Sequence, residues 1–317
     1  MSAVATSSLD GFSVDAAALV DNPRQVAGAF RRDGLVKVKR ILPADVAEAV
    51  CKRVHEELAS RRAEGDSTYF GDVYGYEDTG QRWDLKLRLS SEVKDALRIL
   101  LESLQGVLES LRPSWQLTEL AAMCTFPADP GQPVHADTSH VYDQQVVTVF
   151  VALHDIPAER GPTKMYPRSH LDGELHLGLK EVDESCAVLC TMECGDCVLM
   201  DSRLLHCGTA NKSDLHRFLF YSSWMPPARR SRGSTNTLLP EYEDRLILVQ
   251  EELQLHTQIC GAIEGILSSA TGGFGGKTFP KRSEPPLAAS VPGAALTPAM
   301  AHMDFDGCLR PKCPPDW

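Results

Sequence analysis

His135 and Asp137 stand two residues apart in Val134-His135-Ala136-Asp137-Thr138. On an extended segment, side chains at i and i+2 point to the same side. An imidazole and a carboxylate would then lie together as two legs of a metal chelate. The candidate third leg is His206, in Leu204-Leu205-His206-Cys207-Gly208 at the end of an apolar strand. Two imidazoles and one carboxylate leave half of an octahedral metal open, the arrangement of non-haem Fe(II) sites.

Arg217 follows on the next strand, where it shares a face with Leu219 and Tyr221. If that face is an interior, the guanidinium is buried and requires an anion. Its planar fork suits the far carboxylate of a dicarboxylic acid. The near end of such an acid, as a 2-oxo acid, could chelate the metal through carboxylate and keto oxygens. The competing reading is a surface ion pair of Arg217 with Asp214 or Glu193.

The elements that must hold these residues change character along the chain. Residues 1 to about 20 read as a flexible leader of small residues. Leu35-Val36-Lys37-Val38 reads as a strand. Pro43 opens a helix striped by Val46, Val50, Val54 and Leu58 and ended by Gly65. Ser90 or Ser91 caps a second helix striped by Val93, Leu97, Leu101 and Leu104. From about 117 to 224, short strands separated by turn residues indicate an antiparallel sandwich or barrel. The fold class is therefore mainly β with flanking helices. Pro240-Glu241 opens a segment with few breakers to about Ser268, so 229–270 reads as a C-terminal helical extension. Residues 271–317, rich in Gly, Pro and Ala, read as an irregular tail.

The bulk numbers exclude some functions. The 317-residue chain carries a net charge of −11, against a nucleic-acid groove. Arg229-Arg230-Ser231-Arg232 is one short basic run and reads as a solvated loop. No apolar run is long enough for a membrane span, and the N-terminus lacks the pattern of a secretory signal. The cytoplasm is the expected compartment, with an organelle as the alternative. Ten cysteines, several inside apolar runs, read as reduced thiols packed as small core residues. The Cys194–Cys197 pair is explained by the Gly195-Asp196 turn between its members. Nothing in the pattern specifies an oligomeric state.

From about Phe30 to Trp224 the chain resembles the phytanoyl-CoA dioxygenase family of Fe(II)/2-oxoglutarate-dependent oxygenases. The resemblance rests on His135-Ala-Asp137, on Gly161-Pro-Thr-Lys-Met-Tyr-Pro-Arg-Ser-His170, on Gly195-Asp-Cys-Val-Leu-Met-Asp-Ser-Arg-Leu-Leu-His206, and on Asn211 and Arg217, in that order. It implies an oxygenase domain over 21–228 with a double-stranded β-helix (jelly-roll, cupin-like) core. It implies His135, Asp137 and His206 as iron ligands, with no catalytic residue beyond the metal centre. Arg217 would anchor 2-oxoglutarate, and Met123 and Phe150 would line its pocket. It further implies Fe(II), 2-oxoglutarate and O2 as cofactors and co-substrates, with ascorbate helpful in vitro.

The sequence departs from the family pattern at three places. The pocket aromatic is often tryptophan, and here it is Phe150. A hydroxyl two residues after the distal histidine is common; here that position is Gly208, and Thr209 is the candidate replacement. Arg168 stands where a glycine is usual before Ser169-His170. Asp137 occupies the place that related halogenases leave to chloride, so hydroxylation is favoured. Ser223 stands where nucleic-acid demethylases usually carry a second arginine, and Arg217 where prolyl hydroxylases usually carry lysine. Arg82, Trp83 and Lys86 fall near the expected site mouth, as co-substrate or substrate contacts or as a solvated face. His140 is a pocket-lining or solvated histidine.

The expected activity is hydroxylation of an unactivated C–H bond in a small-molecule or lipid-like substrate. Two other readings stay open: a non-catalytic metal- and 2-oxoglutarate-binding protein on the same scaffold, and a cupin-like metalloprotein that does not use 2-oxoglutarate.

Overall fold

The computed structural model describes residues 7–73, 80–138, 145–226 and 239. In chain order the strands are β1 (Ser7–Ser8), β2 (Ser13–Asp15), β3 (Leu35–Lys39), β4 (Phe70–Gly71), β5 (Arg82–Lys86), β6 (Gln116–Thr125), β7 (Val147–Ala152), β8 (Thr163–Met165), β9 (Val188–Cys190), β10 (Cys197–Asp201), β11 (His206–Gly208) and β12 (Arg217–Met225). The helices are α1 (Ala17–Asp21), α2 (Pro23–Asp33), α3 (Ala44–Glu64), α4 (Ser91–Leu111) and α5 (Gly173–His176). Two sheets form. The large one runs β2-β3-β10-β7-β12-β6-β5-β4 and the small one β1-β9-β8-β11. This is the jelly-roll core with outer helices that the strand pattern and the resemblance imply.

The side-chain period of 2 divides the large sheet between two jobs. One face carries Val36, Val38, Val147, Val149, Val151, Leu199, Phe218 and Phe220, which share one apolar core with Phe30, Val50, Val54, Leu97 and Leu104 of the helices. The other face looks toward the small sheet. There Leu35, Ala152, Val198, Met200 and Leu219 pack with Met165, Val188 and Cys190, and Met123 and Phe150 lie against this cluster.

The helices end where their sequences say they must. Pro43 precedes α3, and Gly65 closes it in the left-handed conformation with φ 69°. The Ser90 side chain caps α4 by accepting from Val93 N. Val93, Leu97, Leu101 and Leu104 are buried, as the stripe predicts.

The expected flexible leader is corrected from residue 7 onward. β1 pairs parallel with β9 and β2 parallel with β3, and Leu9 and Leu19 are fully buried. The small residues there separate single apolar anchors, which carry no period long enough to read as an element. The readings for 229–270 and 271–317 lie outside the described residues. Among the described residues, all cysteines are free and no helix is long and apolar enough to cross a membrane.

Candidate metal centre and its arginine pocket

His135 and His206 are brought together by their own backbones. The two residues form an isolated antiparallel bridge, with His135 N donating to His206 O at 2.9 Å and His206 N to His135 O at 2.8 Å. The segment carrying His135 and Asp137 is thus a stitched loop rather than a regular strand. Gln132 N donates to Gly208 O and Thr138 N to Ser202 O, which fastens the loop on both sides of the pair. β11 is held from its other edge by β8, where His206 faces Met165.

Three ligand atoms converge. Asp137 Oδ1 lies 3.7 Å from His135 Nε2 and 3.6 Å from His206 Nε2. Among the described residues this is the one group of acidic, histidine and cysteine side chains with ligand atoms close enough to share a metal. Each histidine directs Nδ1 to the carbonyl two residues earlier, His135 to Pro133 O and His206 to Leu204 O, both at 2.9 Å. A carbonyl only accepts, so Nδ1 carries the proton and Nε2 presents its lone pair to a metal. Burial, and then the neighbouring His206, lower the His135 pKa to about 4, so this ring is neutral and able to ligate at neutral pH. The imidazoles are buried while the Asp137 side chain is 34% exposed, which leaves the site open on the carboxylate side.

Arg217 is 1% exposed, and its partners are not the surface acids Asp214 or Glu193. Its Nη1 donates to Gly161 O and its Nη2 to Thr125 Oγ1 at 2.9 Å, both neutral acceptors, while Nε has no partner. Burial and the charge of Arg82 push its pKa down. A cation taken out of water without a contacting anion is costly, so the site calls for one.

The surrounding motifs brace this pocket. Gly161 has φ 71°, and a Cβ there would stand 2.9 Å from Thr209 O. The turn that offers its carbonyl to Arg217 therefore needs glycine. Thr209 Oγ1 donates to Pro162 O at 2.6 Å, so its hydroxyl ties down this loop. Arg168 also has φ 71°, the conformation for which glycine is suited. Here an ion pair with Asp33 at 3.0 Å holds the arginine in place. Ser169 Oγ accepts from Leu205 N at 2.8 Å, next to the distal ligand. His170 packs against Gly34, where no Cβ would fit, and has a structural part.

Met123 and Phe150 are half-buried on the inner face, paired in register with Leu219 and Tyr221. His140 lies outside the described residues. Arg82 and its neighbours separate in the structure. Trp83 is half-buried against the helix-covered core with its ring tilted against Phe70, Lys86 is half-buried, and Arg82 is wholly buried in an ion pair with Asp129. Sequence reasoning did not single out Asp84, a fully buried carboxyl that accepts from Tyr221 Oη at 2.8 Å. Desolvation raises its pKa to about 7. The signal was present: Arg82, Asp84 and Lys86 alternate with Trp83, Leu85 and Leu87, so one face of β5 is charged.

Comparison with known proteins agrees with this architecture. Residues 30–218 match the family model of phytanoyl-CoA dioxygenase (PhyH). The dioxygenase peniF of Penicillium patulum is 31% identical over 120 residues, covering 33% of this chain and 38% of that protein. The match thus spans well under half the length of that relative. Among solved structures, the non-heme alpha-ketoglutarate-dependent epimerase SnoN from nogalamycin biosynthesis superposes with a TM-score of 0.54 at 20% identity. The alignment covers 73% of this chain and 99% of SnoN. SnoN has also been solved with Fe3+, alpha-ketoglutarate and nogalamycin RO. The non-heme monooxygenase ThoJ superposes at 0.53 and 18% identity, over 75% of this chain and 94% of ThoJ. These structures share the jelly-roll fold, and the extent of the family match settles the kinship: the chain belongs to the phytanoyl-CoA dioxygenase family.

Proposed function

We propose that the protein is an Fe(II)- and 2-oxoglutarate-dependent dioxygenase that hydroxylates an unactivated C–H bond of a small-molecule or lipid-like substrate. One observation carries the reading. The chain holds both a two-histidine, one-carboxylate cluster and a buried arginine whose hydrogen-bond partners are neutral. The donor set fits a divalent transition metal with open positions. The arginine fits the far carboxylate of a dicarboxylic 2-oxo acid.

When bound, Fe(II) with O2 and 2-oxoglutarate supplies the oxidising chemistry, which leaves succinate and CO2 beside the hydroxylated product. The chain itself positions and shields. His135 and His206 hold their rings by Nδ1–H bonds to Pro133 O and Leu204 O and offer Nε2. Asp137 offers a carboxylate at the site's open side. Arg217 takes the far carboxylate, with Met123 and Phe150 as apolar flanks that keep water away from it. Thr209 fastens the Pro162 turn rather than meeting the co-substrate. No side chain is assigned as a general base, because the bound group would supply the C–H chemistry.

Two features bear on the outcome of the reaction. Asp137 keeps the position that a halide ligand would need, which supports hydroxylation over halogenation. The acidic chain, with net charge −11, supports a small-molecule substrate over nucleic acid. The direct test is succinate release from 2-oxoglutarate with Fe(II) and ascorbate, with no added substrate. Slow uncoupled turnover is expected. Absence of turnover together with absence of 2-oxoglutarate binding would overturn the enzymatic reading.

A further inference from the structure

Gly208 lies two residues beyond the distal ligand, and the space its missing side chain leaves is filled. A Cβ at 208 would run into the Arg82 guanidinium. Arg82 comes from β5, the far neighbour of Arg217 across β6. In register, Arg82 and Arg217 both face Thr125, so the three form one row over β5, β6 and β12. Such a row shares one face of the sheet.

Arg82 is fixed there. Its Nε and Nη2 donate to the Asp129 carboxylate at 3.2 and 2.6 Å, and Nη1 donates to Gln132 Oε1 at 2.6 Å. The same Gln132 oxygen accepts from Gly208 N at 3.3 Å, which ties the guanidinium to the strand that carries His206. Arg82 and Asp129 side chains are both fully buried. The charge of Arg82 is felt by Arg217, whose pKa is pushed down first by burial and then by this neighbour. Asp129 is bonded to Arg82, while the hydrogen-bond partners of Arg217 beside it are neutral, so this buried row has a cation that a far carboxylate would meet.

We propose that Arg82 is the second guanidinium of the co-substrate pocket, standing in the gap at Gly208 and holding the far carboxylate of 2-oxoglutarate jointly with Arg217. The inference rests on the reading of the site as a 2-oxoglutarate pocket. It accounts for the absence of a hydroxyl at 208: a side chain there and Arg82 exclude each other. It also assigns Asp129 and Gln132 a positioning task, because they set the angle of the fork.

The test separates the far carboxylate from the metal-chelating end. 2-Oxoglutarate and pyruvate, which has the 2-oxo acid but no second carboxylate, are titrated calorimetrically into the full-length Mn(II)-loaded protein. Arg82→Met is combined with Asp129→Asn so that no lone charge is left buried. That double variant should lose about 10- to 100-fold in 2-oxoglutarate affinity, the range for a lost hydrogen bond to a charged group, with pyruvate affinity unchanged. Arg82→Lys, which keeps the charge for Asp129 but loses the fork, should lose less. It also serves as the readout should the double variant not fold. If 2-oxoglutarate affinity is unchanged, or both ligands weaken alike, Arg82 is a structural ion pair and the inference falls. Arg217→Met separates the two levels of the argument. If it leaves 2-oxoglutarate binding intact, the pocket itself has been misread; if it abolishes binding while the Arg82 variants do not, only the role of Arg82 fails.

Discussion

The two faces of strand β12 are built from alternate residues of one sequence, yet they obey different rules. Phe218 and Phe220 enter the core beneath the helices, which is built from apolar side chains, with the rings of His55, His154 and His216 at its edge against Phe218. Arg217, Tyr221 and Ser223 face the other way, beside Thr125, Asp84 and Glu119. The helix-covered face buries apolar area and stabilises the fold. The inner face holds a cation without a contacting anion and an acid without a contacting cation, both of which cost stability. The difference teaches where to look for function: on the face whose groups are paired incompletely, on a sheet whose opposite face is packed well enough to carry that cost.

The comparison breaks if mutations on the two faces produce the same kind of effect. The largest separation is expected for Asp137→Ala. It should reduce 2-oxoglutarate turnover to background and remove the bound divalent metal measured by elemental analysis, while the denaturation midpoint of the metal-free protein hardly moves. Phe220→Ala, on the opposite face, should cost about 3–5 kcal/mol in chemical denaturation. The fraction that remains folded should still bind metal and co-substrate.

Asp84→Asn sharpens the contrast through pH. The folded pKa of Asp84 is raised to about 7 from 3.8. As pH climbs, the unfolded chain therefore releases this proton first, and stability is lost between about pH 4 and 7. Asparagine still accepts from Tyr221, so the variant should match the parent near pH 4. Above pH 7 it should exceed the parent by at most about 4 kcal/mol. A stability–pH curve with the same slope in both proteins would show that Asp84 does not titrate in this way. The smallest effect is expected for Ser90→Ala at the α4 cap, about 1 kcal/mol of stability with no change in turnover.

Much of this division was legible in the sequence, because it follows from periodicity. The α3 and α4 stripes, the β7 and β10 apolar runs and the shared face of Arg217, Leu219 and Tyr221 all appear at the spacing their elements require. His135, Asp137 and His206 were named from residue type and order, and the fold brings their ligand atoms together. What could not be read depends on pairings between distant segments. The His135–His206 backbone bridge makes the metal cluster without a regular strand at His135. The burial of Arg82 depends on Asp129 from a loop and on a missing side chain at Gly208. The ordered segment from Ser7 to Asp21 depends on single anchors, Leu9 and Leu19, whose partners lie elsewhere in the chain.

The central claim is that the metal cluster and the buried arginine form one site for one ligand. Calorimetric titration of 2-oxoglutarate, with and without Mn(II), into the parent protein and Arg217→Met tests it most directly. The account predicts one-to-one binding that requires the metal and is lost when Arg217 is replaced. Binding indifferent to the metal, or equally tight in Arg217→Met, would contradict it.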